Sequence, residues 1–259
     1  MKGNFEEIII SEFLTSLGPW KKYIVVGGGF ALFIYKLYLA DQALENFPVG
    51  TRDVDSLIPR RVPDTSKKNI GQYLQTAGFK QQHKAMDHPA TEAYVKKIEG
   101  VEVEIEFLTS DDSRKDKQAN VNVSGIIAQP LRYLNMSLQM TTEFKTYSGI
   151  TGRVVTPGAW MFHKGLTFIR RKSSSKQLKD LYGIWYVTTQ LGTFSDQAIE
   201  EFHLLAKLNQ SWFKDFRKNL LSWHQDVTPD KWSKLEGQDP SGKLKKIAFE
   251  RVLRKLLPS

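Results

Sequence analysis

The sequence predicts an α+β fold, with a mixed sheet and flanking helices in residues 1–155 followed by a helical lobe in residues 156–259. In the first part, strand and helix patterns alternate, and residues 101–108 alternate apolar and acidic side chains without a break, which is a strand signal. From residue 157 onward, Leu, Trp and Phe recur at the three- and four-residue spacing of helices. A helical layer beside a sheet lets each bury its apolar face.

The elements follow from these patterns in chain order. In the first part we expect a helix over residues 5–17, a strand over 23–26, a helix from 30 through 45, a loop around 48, a strand at 53–55, a helix over 69–77, and strands within 94–108 and 133–155. The charged, apolar-poor stretch 111–120 predicts a loop. In the second part we expect helices over 177–191, 196–208, 212–223 and 244–256.

Asp53 and Asp55 are the most informative residues of the chain, because they flank Val54 in a short predicted strand. Residues two apart on a strand project from the same face, so both carboxylates would point to one place. Two adjacent carboxylates repel each other unless a cation lies between them, and Mg²⁺ binds carboxylate and phosphate oxygens. The pair therefore predicts a site for Mg²⁺, or for Mn²⁺ in its place. By itself Asp-x-Asp is a common tripeptide.

A glycine cluster, residues 27–29, lies where the predicted strand 23–26 ends and the next helix begins. Glycine allows close approach of a ligand to the backbone, and N–H groups at a helix start favour phosphate. Such a cluster can also mark only a tight turn. Its position before the Asp-x-Asp strand predicts a triphosphate held by the glycines, with its metal on the aspartates.

The order of strand, glycine turn, helix and Asp-x-Asp strand resembles the polymerase-beta-like nucleotidyltransferases, and most closely the AbiEii-type nucleotidyltransferase toxins. The resemblance is carried by residues 28–32 (GGFAL) and 51–55 (TRDVD), while Val49 stands where those toxins usually have arginine. It implies a polymerase-beta-like nucleotidyltransferase core. It also implies that metal is bound by Asp53 and Asp55, and nucleotide by Gly28, Gly29, Thr51 and Arg52.

The same resemblance implies a third carboxylate on a neighbouring strand. Glu102, Glu104 and Glu106 share one face of the predicted strand 101–108. Glu106 precedes Phe-Leu-Thr, as the family's acidic residue does, so we favour Glu106 as the third metal ligand, with Glu104 as its substitute. Three like charges on one face can also be a solvated surface, and that interpretation is preferred for Glu102.

Residues 157–182 resemble the second signature of the same toxins, a helix with lysine, a loop with arginine, then Lys-Asp. By position the resemblance assigns catalytic roles to Lys164, which would bind the triphosphate, and to Asp180. A lysine there would offset charge that develops during transfer. Gly183 replaces the second aspartate of the signature. The alternatives are an exposed helical lysine and a surface Asp180 paired with Lys176 at i, i+4.

Composition indicates which class of binding partner and which cellular compartment to expect. The formal charge of +9 favours a polyanionic partner such as RNA, because Lys and Arg that neutralise phosphates supply most non-specific nucleic-acid affinity. The chain has no cysteine, which excludes disulfides and zinc-thiolate sites. The apolar run 23–35 is too short to span a bilayer, and the N-terminus is unlike a signal peptide. We expect a cytoplasmic protein with no membrane partner.

The sequence therefore predicts an Mg²⁺-dependent nucleotidyltransferase that moves a nucleotide monophosphate from an NTP to an acceptor hydroxyl. By analogy with AbiEii-type toxins the acceptor would be RNA, at the 3′ end of tRNA. The protein would then be the toxin of a toxin–antitoxin or phage-defence system, with a cognate antitoxin as partner. The alternatives are transfer to a small molecule or a protein, and a catalytically silent nucleotide- or RNA-binding module.

Overall fold

The structure, a computed structural model, describes residues 5–40, 48–85, 91–111 and 120–257. It divides into two compact units, one formed by Met1–Ile34 with Thr51–Val155 and the other by Tyr35–Gly50 with Thr156–Ser259. The α+β class predicted from the sequence is confirmed. Two predicted features, the end of the helix running to residue 45 and the loop at 111–120, lie largely outside the described residues.

The first unit is built on a mixed sheet of nine strands among the described residues. The strands are β1 Val25–Val26, β2 Asp53–Leu57, β3 Lys80–Ala85, β4 Thr91–Ile98, β5 Val101–Ser110, β6 Val121–Val123, β7 Ile126–Leu131, β8 Thr141–Lys145 and β9 Thr151–Val155. Their order is β3-β4-β5-β2-β1-β9-β8, and β7 pairs with both β5 and β6. Strands β2 and β5 run parallel, as do β1 and β9, whereas β1 and β2 are antiparallel. The Asp-x-Asp strand β2 is thus central, as its buried Val54 and Ser56 require.

Four helices belong to this unit in the described part of the chain: α1 Phe5–Ser16, α2 Gly28–Ile34, α3 Ile70–Thr76 and α4 Leu134–Gln139. The start of α3 is fixed by a capping box in which Asn69 accepts from the Gln72 backbone N–H and Gln72 accepts from that of Asn69. Within the described ranges, none of the helices of either unit is long and apolar enough to cross a membrane.

The second unit is helical. After a π-helix, Tyr35–Leu39, its elements are α5 Pro157–Thr167, a 3-10 helix Phe168–Arg170, α6 Ser174–Thr189, α7 Thr193–Leu208, α8 Gln210–Asp226, α9 Pro229–Glu236 and α10 Lys246–Leu256. Its core holds a cluster of Phe162, Phe202 and Phe216, with the last two ring centroids 4.8 Å apart. Gly165 lets α5 and α8 approach closely, because a Cβ there would lie 2.1 Å from the Phe216 ring.

Several local predictions were wrong or incomplete. Tyr23 ends a 3-10 helix, Gly18–Tyr23, and only Val25–Val26 forms the strand, since a proline in the first turn favours the helix. Residues 134–139 form helix α4 rather than a strand, although Leu134 and Met136 are buried at strand-like spacing. Strand β3 was missed because Lys-Gln-Gln-His-Lys-Ala contains no apolar alternation.

Candidate active site

Four carboxylates lie on one face of the two central parallel strands. In the register of β2 and β5, Asp53 is opposite Glu104 and Asp55 is opposite Glu106. Neighbouring strands are about 4.8 Å apart, and residues opposite each other project from the same face of the sheet. The residues between them, Val54 and its partner Ile105, are fully buried on the other face. The structure therefore brings the predicted Asp53, Asp55 and Glu106 together, with Glu104 beside them.

Lys84 from β3 provides the positive charge next to this carboxylate face. Its Nζ lies 3.0 Å from Glu106 Oε1 and also forms an ion pair with Glu104. Asp53 is exposed, whereas Asp55, Glu104 and Glu106 are half-buried. Lys84 thus partly neutralises the negative charge of Glu104 and Glu106.

The pKa values of Glu104 and Lys84 are shifted by burial and by the charges next to them. Burial, together with the neighbouring Glu106, raises the pKa of the Glu104 carboxyl, although Lys84 acts in the opposite direction. Burial acts to lower the pKa of Lys84, but hydrogen bonds and charge interactions with Glu104 and Glu106 outweigh it and raise that pKa. Lys84 is therefore charged at neutral pH.

Replacing Lys84 with Met should strengthen the binding of a divalent cation, because the two glutamates then lose their competing positive charge. Lys84 is 39% exposed, and ion pairs at such positions contribute about 0.2–1 kcal/mol each, so the loss of its two pairs should raise the Mn²⁺ affinity by no more than about thirtyfold. Electron paramagnetic resonance of free Mn²⁺ measures it. Lys80→Met, an exposed position on the same strand, is the control and should change nothing. Weaker Mn²⁺ binding in Lys84→Met would contradict this role.

The glycine turn lies directly against Asp55. The Gly27 N–H donates to the Asp55 carbonyl oxygen at 2.8 Å. Gly28, the first residue of α2, has a φ of +56°, and a Cβ at this position would lie 1.7 Å from Asp55 Oδ2. A Cβ on Gly29 would lie 3.0 Å from the Thr51 side chain. Of the predicted residues, Gly28 therefore lies against Asp55 and leaves room for its carboxylate, whereas Gly29 lies against Thr51.

Gly28→Ala should displace the Asp55 carboxylate and also strain the backbone, since a non-glycine residue at positive φ costs about 1–3 kcal/mol. We expect a lower thermal midpoint and loss of Mn²⁺ binding. Gly100→Ala is the matched control, because Gly100 also has a positive φ, +80°, but nothing lies within 4 Å of its Cβ position. It should lower stability without affecting Mn²⁺. Equal Mn²⁺ affinity in both variants would show that Gly28 does not position Asp55.

Thr51 and Arg52 complete the predicted nucleotide-binding set in this unit. Thr51 Oγ1 accepts from the Asp53 backbone N–H at 3.4 Å, and the Arg52 carbonyl oxygen accepts from the Glu104 N–H at 3.0 Å. The Arg52 side chain is exposed. The segment before the aspartates is thus tied to both carboxylate strands and leaves its arginine in solvent.

The side chains on the adjacent strands β2 and β5 offer carboxylate oxygens, which are the ligands that hard divalent cations prefer. In the described part of the chain, no three His, Asp or Glu side chains already converge tightly enough to hold a metal ion. Glu106 Oε1 is paired with Lys84, so a cation bound by Asp53, Asp55 and Glu106 would compete with the Lys84 ammonium group.

In the second unit, Lys164 and Asp180 form a buried ion pair between α5 and α6. Lys164 Nζ lies 2.8 Å from Asp180 Oδ1, and the Arg171 Nε–H donates to Asp180 Oδ2 at 3.1 Å. Lys164 Nζ also lies 5.5 Å from the Trp160 ring centroid. Burial opposes ionisation of Asp180, but the charges and hydrogen bonds of Lys164 and Arg171 prevail and lower its pKa. The alternative of an exposed lysine and a surface Asp180 paired with Lys176 is wrong.

Gly183, where the related signature has a second aspartate, is explained by packing. A Cβ at Gly183 would lie 2.4 Å from Trp160 Cη2, so the indole ring fills the space of any side chain. The same ring faces the Lys164 ammonium group.

Sequence reasoning missed two residues of these clusters. Lys84 lies on a strand with no apolar pattern, and no local signal connects it to Glu104 and Glu106. Arg171 lies in the arginine-bearing loop of the second signature, but its pairing with Asp180 was not predicted, because it depends on the turn between α5 and α6. A basic residue can be recognised as the ion-pair partner of such an acidic residue only when the fold is known.

A family of known proteins matches most of this chain. The sequence model of a family described as Nucleotidyltransferase matches residues 8–203. No curated protein matches significantly. Among solved structures, JHP933 from Helicobacter pylori is 11% identical with a TM-score of 0.43, over 95% of this chain and 91% of that one. A candidate nucleotidyltransferase from H. pylori is 13% identical with a TM-score of 0.40, over 97% and 94%.

Proposed function

The chain belongs to the nucleotidyltransferase family, and from that premise we propose that it transfers a nucleotide monophosphate from an NTP to a hydroxyl group of RNA. The observation that carries the proposal is the register that sets Asp53 and Asp55 of β2 beside Glu104 and Glu106 of β5. Gly28, at the start of α2, lies against one of these carboxylates, that of Asp55.

In the proposed reaction the acceptor hydroxyl oxygen attacks the α-phosphorus of the NTP. A new phosphorus–oxygen bond forms, the bond to the bridging oxygen of the β-phosphate breaks, pyrophosphate leaves with the electron pair, and the hydroxyl proton passes to solvent. A divalent cation, for which we propose Mg²⁺, supplies Lewis-acid stabilisation of the charge on the phosphates. Asp53, Asp55 and Glu106 would hold it.

The other residues of the first unit bind and orient the substrate in this proposal. Gly28 and Gly29 present backbone without side chains, so that phosphate oxygens can approach closely. Arg52 is exposed and supplies a positive charge next to Asp53. Lys84 keeps Glu106 paired until the cation takes its place.

For the second unit we propose that Lys164 contributes its positive charge to the triphosphate and that Asp180 orients Lys164. The support is the short ion pair between them and the second salt bridge from Arg171. Asp180 is then a positioning residue whose effect on the reaction is transmitted through the Lys164 ammonium group.

RNA is proposed as acceptor on the strength of the formal charge of +9, since a small neutral acceptor needs no such excess. The resemblance of residues 28–32 and 51–55 to AbiEii-type toxins supports the finer proposal of tRNA 3′ ends, a toxin role and a cognate antitoxin. Because NTP and tRNA are substrates, we propose a cytoplasmic location.

The test is incubation of the purified protein with Mg²⁺, each radiolabelled NTP in turn and total RNA, resolved on a denaturing gel. Label in tRNA-sized bands that disappears with a chelator is the expected result, and it names the nucleotide. Label in protein or in small molecules would replace the RNA acceptor. NTP binding without any transfer would identify a silent binding module and overturn the proposal.

A further inference from the structure

A basic cleft lies in the first unit away from the carboxylates. It encloses about 590 Å³ between the 3-10 helix Gly18–Tyr23 and strands β8 and β9. Its polar lining consists of Lys21, Lys22, Arg153, Thr141, Thr151 and Glu143. Three cations face one carboxylate, so the cleft carries net positive charge.

Arg153 is held in the cleft by neutral oxygens. Its Nη2 donates to Thr141 Oγ1 at 2.6 Å and its Nη1 to the Lys22 carbonyl oxygen at 3.4 Å. These bonds orient the guanidinium group without neutralising it. Planar guanidinium groups match phosphate oxygens in geometry as well as in charge.

None of the three cations of the cleft forms an ion pair with a carboxylate in the described part of the chain, although Lys22 Nζ lies 5.0 Å from the Tyr23 ring centroid. Among the described residues, ion pairs with carboxylates are made by Lys84, Lys96, Lys164, Arg171, Lys234 and Lys245. Within the same described ranges, Lys21, Lys22 and Arg153 make none. Their positive charge therefore remains available to an anionic ligand.

The cleft opens on the same sheet face as the carboxylates. Strand β9 lies beside β1 and β1 beside β2, and in this register Arg153 neighbours Val25, which is opposite Leu57, two residues from Asp55. With strands about 4.8 Å apart and about 3.4 Å per residue, Arg153 and Asp55 are separated by about 12 Å along the sheet. Val25 and Leu57, which lie between them on the sheet, are buried, so an acceptor strand would have to pass over the structure that covers these two residues.

We propose that this cleft binds backbone phosphates of the acceptor RNA, upstream of the 3′ hydroxyl that reacts at Asp53 and Asp55. The inference rests on the proposed function and adds the path of the acceptor strand. Grooves that bind single-stranded nucleic acid without sequence preference carry positive charge of this kind along the phosphate backbone. Hydroxyl groups of Thr141 and Thr151 provide additional donors.

The test compares binding of a fluorescent single-stranded RNA oligonucleotide to the protein and to Lys21→Gln/Lys22→Gln over a series of salt concentrations. Two lost phosphate contacts should lower the slope of log affinity against log salt by about 1.4 and weaken binding at low salt. The charge-matched control is Lys214→Gln/Lys218→Gln, two exposed lysines on α8. Lys22→Gln alone, an exposed position, should show half the change in slope.

Each other outcome overturns the proposal. An equal loss in the α8 variant would mean that only net charge matters, and unchanged RNA binding would mean that the cleft is not used. Loss of NTP binding in Lys21→Gln/Lys22→Gln would assign the cleft to the triphosphate. The assay measures binding alone, so a protein that binds RNA in the cleft but never labels it would refute the proposed function and the path of an acceptor strand, and would leave the cleft as an RNA-binding site only.

Discussion

Asp53→Asn and Asp55→Asn should each reduce nucleotidyl transfer by about a thousandfold or more, because metal-ion stabilisation of transferring phosphates is worth several kcal/mol and each 1.36 kcal/mol is tenfold in rate. Asparagine keeps the size of the side chain and removes the charge that binds the cation. Asp53 is exposed, so its replacement should change the free energy of unfolding by no more than about 0.5 kcal/mol. Single-turnover transfer rates and urea denaturation measure the two effects.

Asp64→Asn is the control for these variants, since Asp64 is an exposed aspartate of the same unit and should retain full activity.

The same assay, applied to glutamine variants of the glutamates on β5, identifies the third carboxylate. Glu106 is opposite Asp55 and Glu104 is opposite Asp53, while Glu102 is exposed on the same face. Glu106→Gln should lose the most activity and Glu102→Gln none. Full activity in Asp53→Asn would refute the metal-site interpretation.

The Asp-x-Asp strand β2 could be predicted because its signals are local. Alternation around Val54 and through residues 101–108 determines which side chains share a face, and the structure keeps both patterns. The fold class followed from the same periodicities. That β5 neighbours β2 was inferred only through a resemblance, and the register of the two strands was not predicted, because strand pairing between residues that far apart leaves no trace in local spacing.

What the sequence did not predict depends on long-range packing. Lys84 reaches Glu106 only because β3 joins the sheet beside β4, and Arg153 borders a cleft only because β9 pairs with β1. Likewise, Asp180 looked like a surface residue by helical spacing with Lys176. Its burial follows from the approach of α5, which Gly183 permits by leaving room for Trp160.

Asp180→Asn should lower the free energy of unfolding by about 3–5 kcal/mol, because it leaves the Lys164 ammonium group buried without its counter-charge. The two side chains are only 8% and 9% exposed, so solvent cannot replace the lost partner. Arg171, at 38% exposed, can turn into solvent and contributes less to the loss. Urea denaturation followed by tryptophan fluorescence measures the change.

The control is Asp230→Asn, which breaks the Asp230–Lys234 ion pair in the same unit. That pair has the same 2.8 Å separation, but its side chains are 69% and 62% exposed, so its loss should cost only about 0.3–0.5 kcal/mol. Equal effects in the two variants would show that burial of Asp180 does not matter.

The stabilisation by Asp180 should also depend on pH. Its folded-state pKa lies below the ordinary value, so the contribution is complete above about pH 4 and is lost as the pH falls through the lowered folded pKa. The protein should therefore lose stability on acidification more steeply than Asp180→Asn does. Stability curves of the two proteins that stay parallel below pH 4 would contradict this assignment.

A double variant separates the structural role of the pair from its proposed role in transfer. Replacing a buried ion pair by apolar side chains is often neutral for stability, so Lys164→Met/Asp180→Leu should recover most of the stability that Asp180→Asn loses. If Lys164 acts on the triphosphate, the recovered protein should still have a raised KM for NTP. Recovery of both stability and KM would show that the pair only holds α5 against α6, and the triphosphate would then depend on the glycine turn and Arg52 alone.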